Sequence, residues 1–304
     1  MDITIKGLKD AFLRADTATR LIWVNAILFI LVSLLKVTLL LFNVSSDAFL
    51  SLFYLPASLD GLMRQPWSII TYMFLHEGLL HFILNMAWLW WIGKMFTSLF
   101  CQRHLLGLYI MGGIAGGAFY MLCYHIFPYF SDRILDSYVV GSSASVLAIV
   151  VSSAFKAPSW RIHLAFIGSI KLLHIALAII ILDLLMLTDG NSGGHLAHLG
   201  GALTGFLFTW LLDKGHDITA WFNFLINAPL RIQESVRKKT FSVHEAASKK
   251  DPASHRQEQE NKSRQEKKEQ TEDEDMERIL KKVRTGGYHS LTEEEKKKLF
   301  YGKR

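Results

Sequence analysis

Apolar residues gather into six runs, at about 21–41, 79–97, 104–127, 142–155, 169–187 and 195–212, with polar stretches between them. A helix needs roughly 20 apolar residues to cross ~30 Å of hydrocarbon. The runs therefore predict six membrane-spanning helices, the fourth of them short. The segment ahead of the first run, MDITIKGLKDAFLRADTATR, is polar, and the run itself is too long for the core of a removable signal, so it is expected to be a retained span.

Basic residues give the spans a direction. Lys6, Lys9, Arg14 and Arg20 precede the first run, Lys94 and Arg103 flank the turn after the second, and Lys156 and Arg161 flank the turn after the fourth. The intervening loops carry only Arg64 and Arg133. By the positive-inside rule both termini are expected on the cytoplasmic side, with the loops after spans one, three and five facing outward. This divides the chain into a cytoplasmic N-terminal segment (1–20), an all-α six-helix membrane domain (21–215), an interfacial basic segment (216–240), a flexible charged linker (241–275) and a short helical C-terminal tail (276–304). In the tail, Thr292 followed three residues later by Glu295 reads as a capping box.

Composition agrees with that pattern. The chain is 51% hydrophobic, and its net charge of +6 is accounted for by basic residues facing an anionic membrane, without nucleic acid as a partner. Cys101 and Cys123 bracket the third span, ~33 Å apart along a helix, too far to pair.

The candidate chemistry lies in polar residues set within apolar runs. In HEGLLHFILN (76–85) the two histidines are five apart, roughly 140° around a helix, so they cannot chelate one ion as a zinc helix would. His81 and Asn85, four apart, do share a face. Two other polar clusters open spans four and six: GSSAS (141–145) and HLAHLGGALTG (195–205). Counted back from Lys94, Lys156 and Asp213, His81, Ser143 and His198 stand ~20 to 23 Å above those charges at 1.5 Å per residue. All three reach one level, ~7 to 10 Å below the outer edge of the hydrocarbon core. A serine, a histidine and two further donors at one depth supply a nucleophile, a general base and oxyanion stabilisers. Ala197, Gly201 and Gly205 on span six, and Ala144 and Ala148 on span four, recur every four residues, which lets the two helices approach closely.

With PWSIITYMFLH (66–76), HEGLLHFILN, Gly141-Ser142-Ser143-Ala144 and Ala197-His198 followed by Gly201 and Gly205, residues 60–212 resemble the rhomboid intramembrane serine proteases, of the six-helix bacterial type with a C-terminal cytoplasmic extension. The resemblance implies a Ser143–His198 dyad with no third acidic member and an oxyanion held by His81, Asn85 and the Ser143 amide. It also implies hydrolysis of peptide bonds in or beside transmembrane segments of other membrane proteins. His76 would stabilise the first outward loop. No cofactor, metal or nucleic acid is implied; the partners are the lipid bilayer and transmembrane protein substrates, which must unwind at the cut and would approach between spans two and five. Three positions depart from the family pattern: Ala144 for a glycine, Leu147 for an aromatic beneath the histidine, and Trp67-Ser68 for a Trp-Arg pair.

Other readings compete. Ser142 and Ser145 are expected to bond back to helix carbonyls. His195, three before His198, suggests a metal site but lacks a neighbouring carboxylate in sequence. Lys36, Lys171, His174 and Asp183 would suit a transport pathway, though snorkelling or pairing between helices explains them. A catalytically silent rhomboid-like client binder and a histidine-lined transporter are thus the alternatives to a protease. The expected location is the plasma (inner) membrane of a bacterium.

Overall fold

The computed structural model describes residues 5–164 and 168–222, together with Arg278, Ile279, Lys282, Thr292 and Glu295 of the tail. The chain opens with α1 (Ile5–Arg14) and the long α2 (Thr17–Leu41). Asp16 starts α2 as an N-cap, its carboxylate accepting from the Thr19 amide. A folded loop follows, built from three short helices, α3 (Asp47–Leu50), α4 (Leu59–Arg64) and α5 (Ser68–Thr71), and the strand β1 (Leu55–Pro56). Then come α6 (Leu79–Leu99), α7 (Gln102–Ile126), β2 (Tyr138–Val139), α8 (Ser143–Lys156), the hairpin β3 (Arg161–Leu164) and β4 (Gly168–Lys171), α9 (Leu172–Leu185) and α10 (Ser192–Asp213).

The protein is mostly helical. Among the described residues, α2, α6, α7 and α10 are long and apolar enough to cross a membrane, and α8 and α9 are shorter apolar helices. The six runs read from the sequence coincide with these six helices. The fifth differs most: its first residues, Ser169 to Lys171, belong to β4 instead of α9. The alternation Arg161, Ile162, His163, with Ile162 buried and its neighbours exposed, is the period of a half-buried strand. An apolar run cannot by itself show where strand gives way to helix.

Helix α8 is the centre of the bundle: every residue from Ala144 to Ala154 is buried, against α7 on one side and α10 on the other. Small residues allow this. A Cβ at Gly201 would lie 2.2 Å from the Ala144 carbonyl oxygen, and one at Gly205 the same distance from that of Ala148. Glycine is required at both places because backbone fills the space. At the far end Lys156 of α8 pairs with Asp213 of α10, so the two charges from which depth was counted share a level. By contrast α2 buries little more than Ala18, Leu21 and Asn25 and turns leucines and isoleucines outward, as a lipid-facing helix does. Its one buried amide, Asn25, bonds Leu21 O and the Tyr109 hydroxyl.

Backbone hydrogen bonds tie the first loop to the segment before α8. β1 pairs antiparallel with β2, Leu55 opposite Val139, and the Gly141 amide donates to Tyr72 O at 2.9 Å. The loop is further stapled by Gln65 to Tyr54 O, Trp67 to Leu52 O and Thr71 to Phe53 O. Ser68, beside Trp67, is fully buried and plays no part in that stapling.

In the tail, the Thr292 amide donates to Glu295 Oε2 at 2.9 Å and the Glu295 amide to Thr292 Oγ1 at 3.3 Å, the reciprocal pair of a capping box. Lys282 bonds Glu295 Oε1 at 2.7 Å, which holds the Glu295 carboxyl down at about 2. The 216–240 segment and the 241–275 linker lie, apart from residues 216–222, outside the described residues.

Candidate active site

Helices α6, α8 and α10 all begin at one end of the bundle, and each brings a polar side chain there. Gly141 has φ of +136°, a conformation that side chains rarely adopt, and turns the chain into α8. Ser142 caps the helix and Ser143 is its first residue, so the Ser143 N–H belongs to the first-turn amides that have no helical acceptor. The positive end of the helix dipole lies at the same point.

Across from it on α10, His198 Nε2 stands 2.6 Å from Ser143 Oγ. Both residues are partly open. A Cβ added to Gly141 would lie 2.7 Å from His81 Cε1 and 3.6 Å from Ser143 Oγ, so the His81 ring and the serine hydroxyl flank one small space. Glycine at 141 keeps that space clear. Asn85, one turn along α6, is buried and donates one amide N–H to the His81 carbonyl at 2.9 Å. Its second N–H is the one left for a ligand.

The serine beside the site has a different partner. Ser142 Oγ lies 3.0 Å from His76 Nε2, with the serine fully buried and the histidine 5% exposed. Phe82 and His81 meet the His76 ring edge-on at 5.3 and 5.5 Å. This second serine–histidine pair is sealed. Burial, followed by the neighbouring His81, pushes the His76 imidazole down to about 4. Neither Ser142 nor Ser145 bonds back to a carbonyl as expected: Ser145 lies against the Met73 sulfur at 3.9 Å.

One residue near the site carries no motif signal. Asp183 of α9 is 4% exposed, and its Oδ1 accepts from His198 Nδ1 at 2.9 Å and from His195 Nδ1 at 2.8 Å. The dyad without an acidic neighbour, expected from the resemblance, therefore departs from the geometry, and so does the reading of His195 as lacking a carboxylate. Sequence showed Asp183 as a charge in an apolar stretch that would snorkel or pair between helices, and it does pair across helices, with two histidines of α10. Asp183, His195 and His198 place their ligand atoms within 4.8 Å of one another, a spacing that could hold a metal ion. His195 meets the His198 ring edge-on at 6.1 Å, and Leu147 of α8 is buried.

The packing residues fall where the spacing put them: Gly201 and Gly205 against Ala144 and Ala148, with Ala197 O close to Gly116 of α7. Gly200, which the four-residue spacing did not include, packs on Gly116 and Phe119.

The Rhomboid domain family matches residues 63–215, half of the chain. Among proteins of known name, the chain is 28% identical over 157 residues to RHOMBOID-like protein 12, mitochondrial, of Arabidopsis thaliana, covering 49% of this chain and 47% of that one. It is 27% identical over 148 residues to presenilin-associated rhomboid-like protein A, mitochondrial, of Danio rerio, covering 48% of this chain and 36% of that one. The match thus spans less than half the length of either relative. These relatives overturn the expected bacterial plasma membrane: both are eukaryotic and both are named mitochondrial. The physical reason is that basic-residue asymmetry distinguishes the two sides of a membrane and carries no information on which membrane it is.

Proposed function

The chain belongs to the rhomboid family, and we propose that it is an intramembrane serine endopeptidase of a eukaryotic mitochondrial membrane, cutting peptide bonds in or beside the transmembrane segments of other proteins. The observation that carries the reading is the 2.6 Å approach of His198 Nε2 to Ser143 Oγ across two helices. His198 takes the hydroxyl proton as Oγ attacks the scissile carbonyl carbon, then gives it to the leaving amine; water hydrolyses the acyl-enzyme with the same roles reversed. The negative oxygen formed in each step is stabilised by the Ser143 amide at the positive end of α8, by His81 and by the second N–H of Asn85. A helix hides its carbonyls in hydrogen bonds, so the substrate must unwind at the cut, which favours small or helix-breaking residues there.

The test is labelling of the purified full-length protein with a fluorophosphonate, alongside cleavage of a panel of single-span membrane proteins. Wild type is expected to label and cleave; Ser143→Ala to do neither; His198→Ala to lose at least about 100-fold in rate, the usual weight of a general base. A folded wild type that neither labels nor cleaves would instead indicate a silent client binder. Cleavage that survives Ser143→Ala would remove the serine from the mechanism.

A further inference from the structure

The protease reading needs His198 to accept a proton at Nε2, and the atoms around its other nitrogen decide whether it can. We propose that Asp183 is a positioning residue for the Ser143–His198 pair, held in place by His195; this rests on the protease reading.

An ionised carboxylate only accepts hydrogen bonds, so the 2.9 Å contact from His198 and the 2.8 Å contact from His195 each require the proton at Nδ1. With its proton there, His198 has its lone pair at Nε2, the nitrogen facing the serine hydroxyl 2.6 Å away. The opposite tautomer would set a lone pair against the carboxylate and an N–H against the nucleophile. Asp183 therefore selects the reactive form. The neighbouring His195 ring meets His198 only edge-on, at 6.1 Å, so the two Nδ1 contacts to Asp183 are what orient the pair. A carboxylate at this depth is costly unless paired; two N–H donors on Oδ1 supply the pairing, while Oδ2 is buried without a partner among the described residues. The His195 and His198 rings stand at 87°, which lets both Nδ1 atoms reach the same Oδ1 from different directions. In the reaction the Oγ–H bond breaks, the proton moves to Nε2 while Oγ bonds to the carbonyl carbon, and the resulting imidazolium lies beside the carboxylate. The proton then leaves from Nε2 to the amine and does not pass to Asp183.

The experiment compares the full-length protein with Asp183→Asn, Asp183→Glu and His195→Asn. Asn keeps the shape but can present an N–H to His198, which favours the wrong tautomer; a loss of about 10²- to 10⁴-fold in kcat is expected, with KM little changed. Fluorophosphonate labelling of Ser143 should slow in parallel, Asp183→Glu should recover part of the rate, and His195→Asn should lose less than Asp183→Asn. In wild type, proton NMR should show a far-downfield imidazole N–H signal that His198→Ala removes, a readout that needs no Asp183 variant to fold. Overturning results are a folded Asp183→Asn with kcat near wild type, a rise in KM alone, or no such signal. Activity lost to a chelator and restored by Zn²⁺ would also overturn the proposal, reassigning Asp183, His195 and His198 as metal ligands. Cleavage persisting in Ser143→Ala would sink the protease reading itself, a separate outcome.

Discussion

Ser142 and Ser143 are neighbours in sequence, each facing a histidine, yet they occupy opposite environments. Ser143 meets His198 in a partly open space; Ser142 meets His76 in a sealed one. The buried pair is a structural joint between the first loop and α8, and it has a pH signature. Because burial holds the His76 imidazole at about 4 in the folded protein, the unfolded chain takes up a proton there between the ordinary imidazole value of about 6.5 and 4 while the folded chain does not. The stability His76 contributes is therefore complete above about pH 6.5 and declines as pH falls toward 4. Thermal unfolding in detergent at pH 7, 5.5 and 4.5 should show the gap between wild type and His76→Gln closing as pH drops; a constant gap would assign the acid sensitivity elsewhere. Ser143, His198, His81 and Asn85 could be read from the sequence because their spacing fixes both depth and helix face. Asp183 could not be tied to them: a lone carboxylate in an apolar run signals pairing, but which helix faces it is a matter of tertiary packing.

At the scale of the helix, close approach decides whether the parts meet. Counting depth from the charges brought Ser143 and His198 to one level because α8 and α10 are adjacent and tied at the far end by Lys156 and Asp213. The four-residue recurrence of small side chains gave the contact face for the same reason. The hairpin escaped because β4 merges with α9 in a single run, and β3 is too short and too polar to make a run of its own. Substituting a glycine in the α8–α10 contact tests the packing directly. At Gly205 a new Cβ would lie 2.2 Å from the Ala148 carbonyl, which is backbone and cannot rotate away, whereas at Gly190 it would meet nothing within 4 Å. Gly205→Val is expected to cost at least about 1–3 kcal/mol, the range for overpacked sites, and to separate Ser143 from His198. Gly190→Ala should be close to neutral. Unfolding temperature and fluorophosphonate labelling measure both effects, and a Gly205→Val protein as stable and as reactive as Gly190→Ala would mean that α8 and α10 do not pack through this face.

For the whole molecule, the open question is how the six apolar helices are threaded. Four have ample length, but α8 and α9 have 14 residues each, ~21 Å at 1.5 Å per residue, against ~30 Å of hydrocarbon. Each short helix has an extended neighbour at one end, β2 before α8 and β4 before α9, so the protein surrounding them must cover backbone that lipid could not satisfy. By the positive-inside rule, Lys94, Arg103, Lys156 and Arg161 would put the α6–α7 and α8–α9 turns on one side, the arrangement that six crossings require. Sidedness can be measured with cysteines. Cys101, in the first of those turns, is exposed, whereas Cys123 is buried; Leu135, Ser159 and Asp189 are exposed positions in the next three connections. With Leu135→Cys, Ser159→Cys and Asp189→Cys introduced singly into a Cys101→Ser background, a membrane-impermeant maleimide applied to sealed vesicles should reach Ser159→Cys from the side on which wild-type Cys101 labels. Leu135→Cys and Asp189→Cys should label from the opposite side, where the mouth of the Ser143 site opens. Labelling of Ser159→Cys together with Leu135→Cys would make α8 a re-entrant helix, leaving Ser143 on a segment that dips into the bilayer and returns.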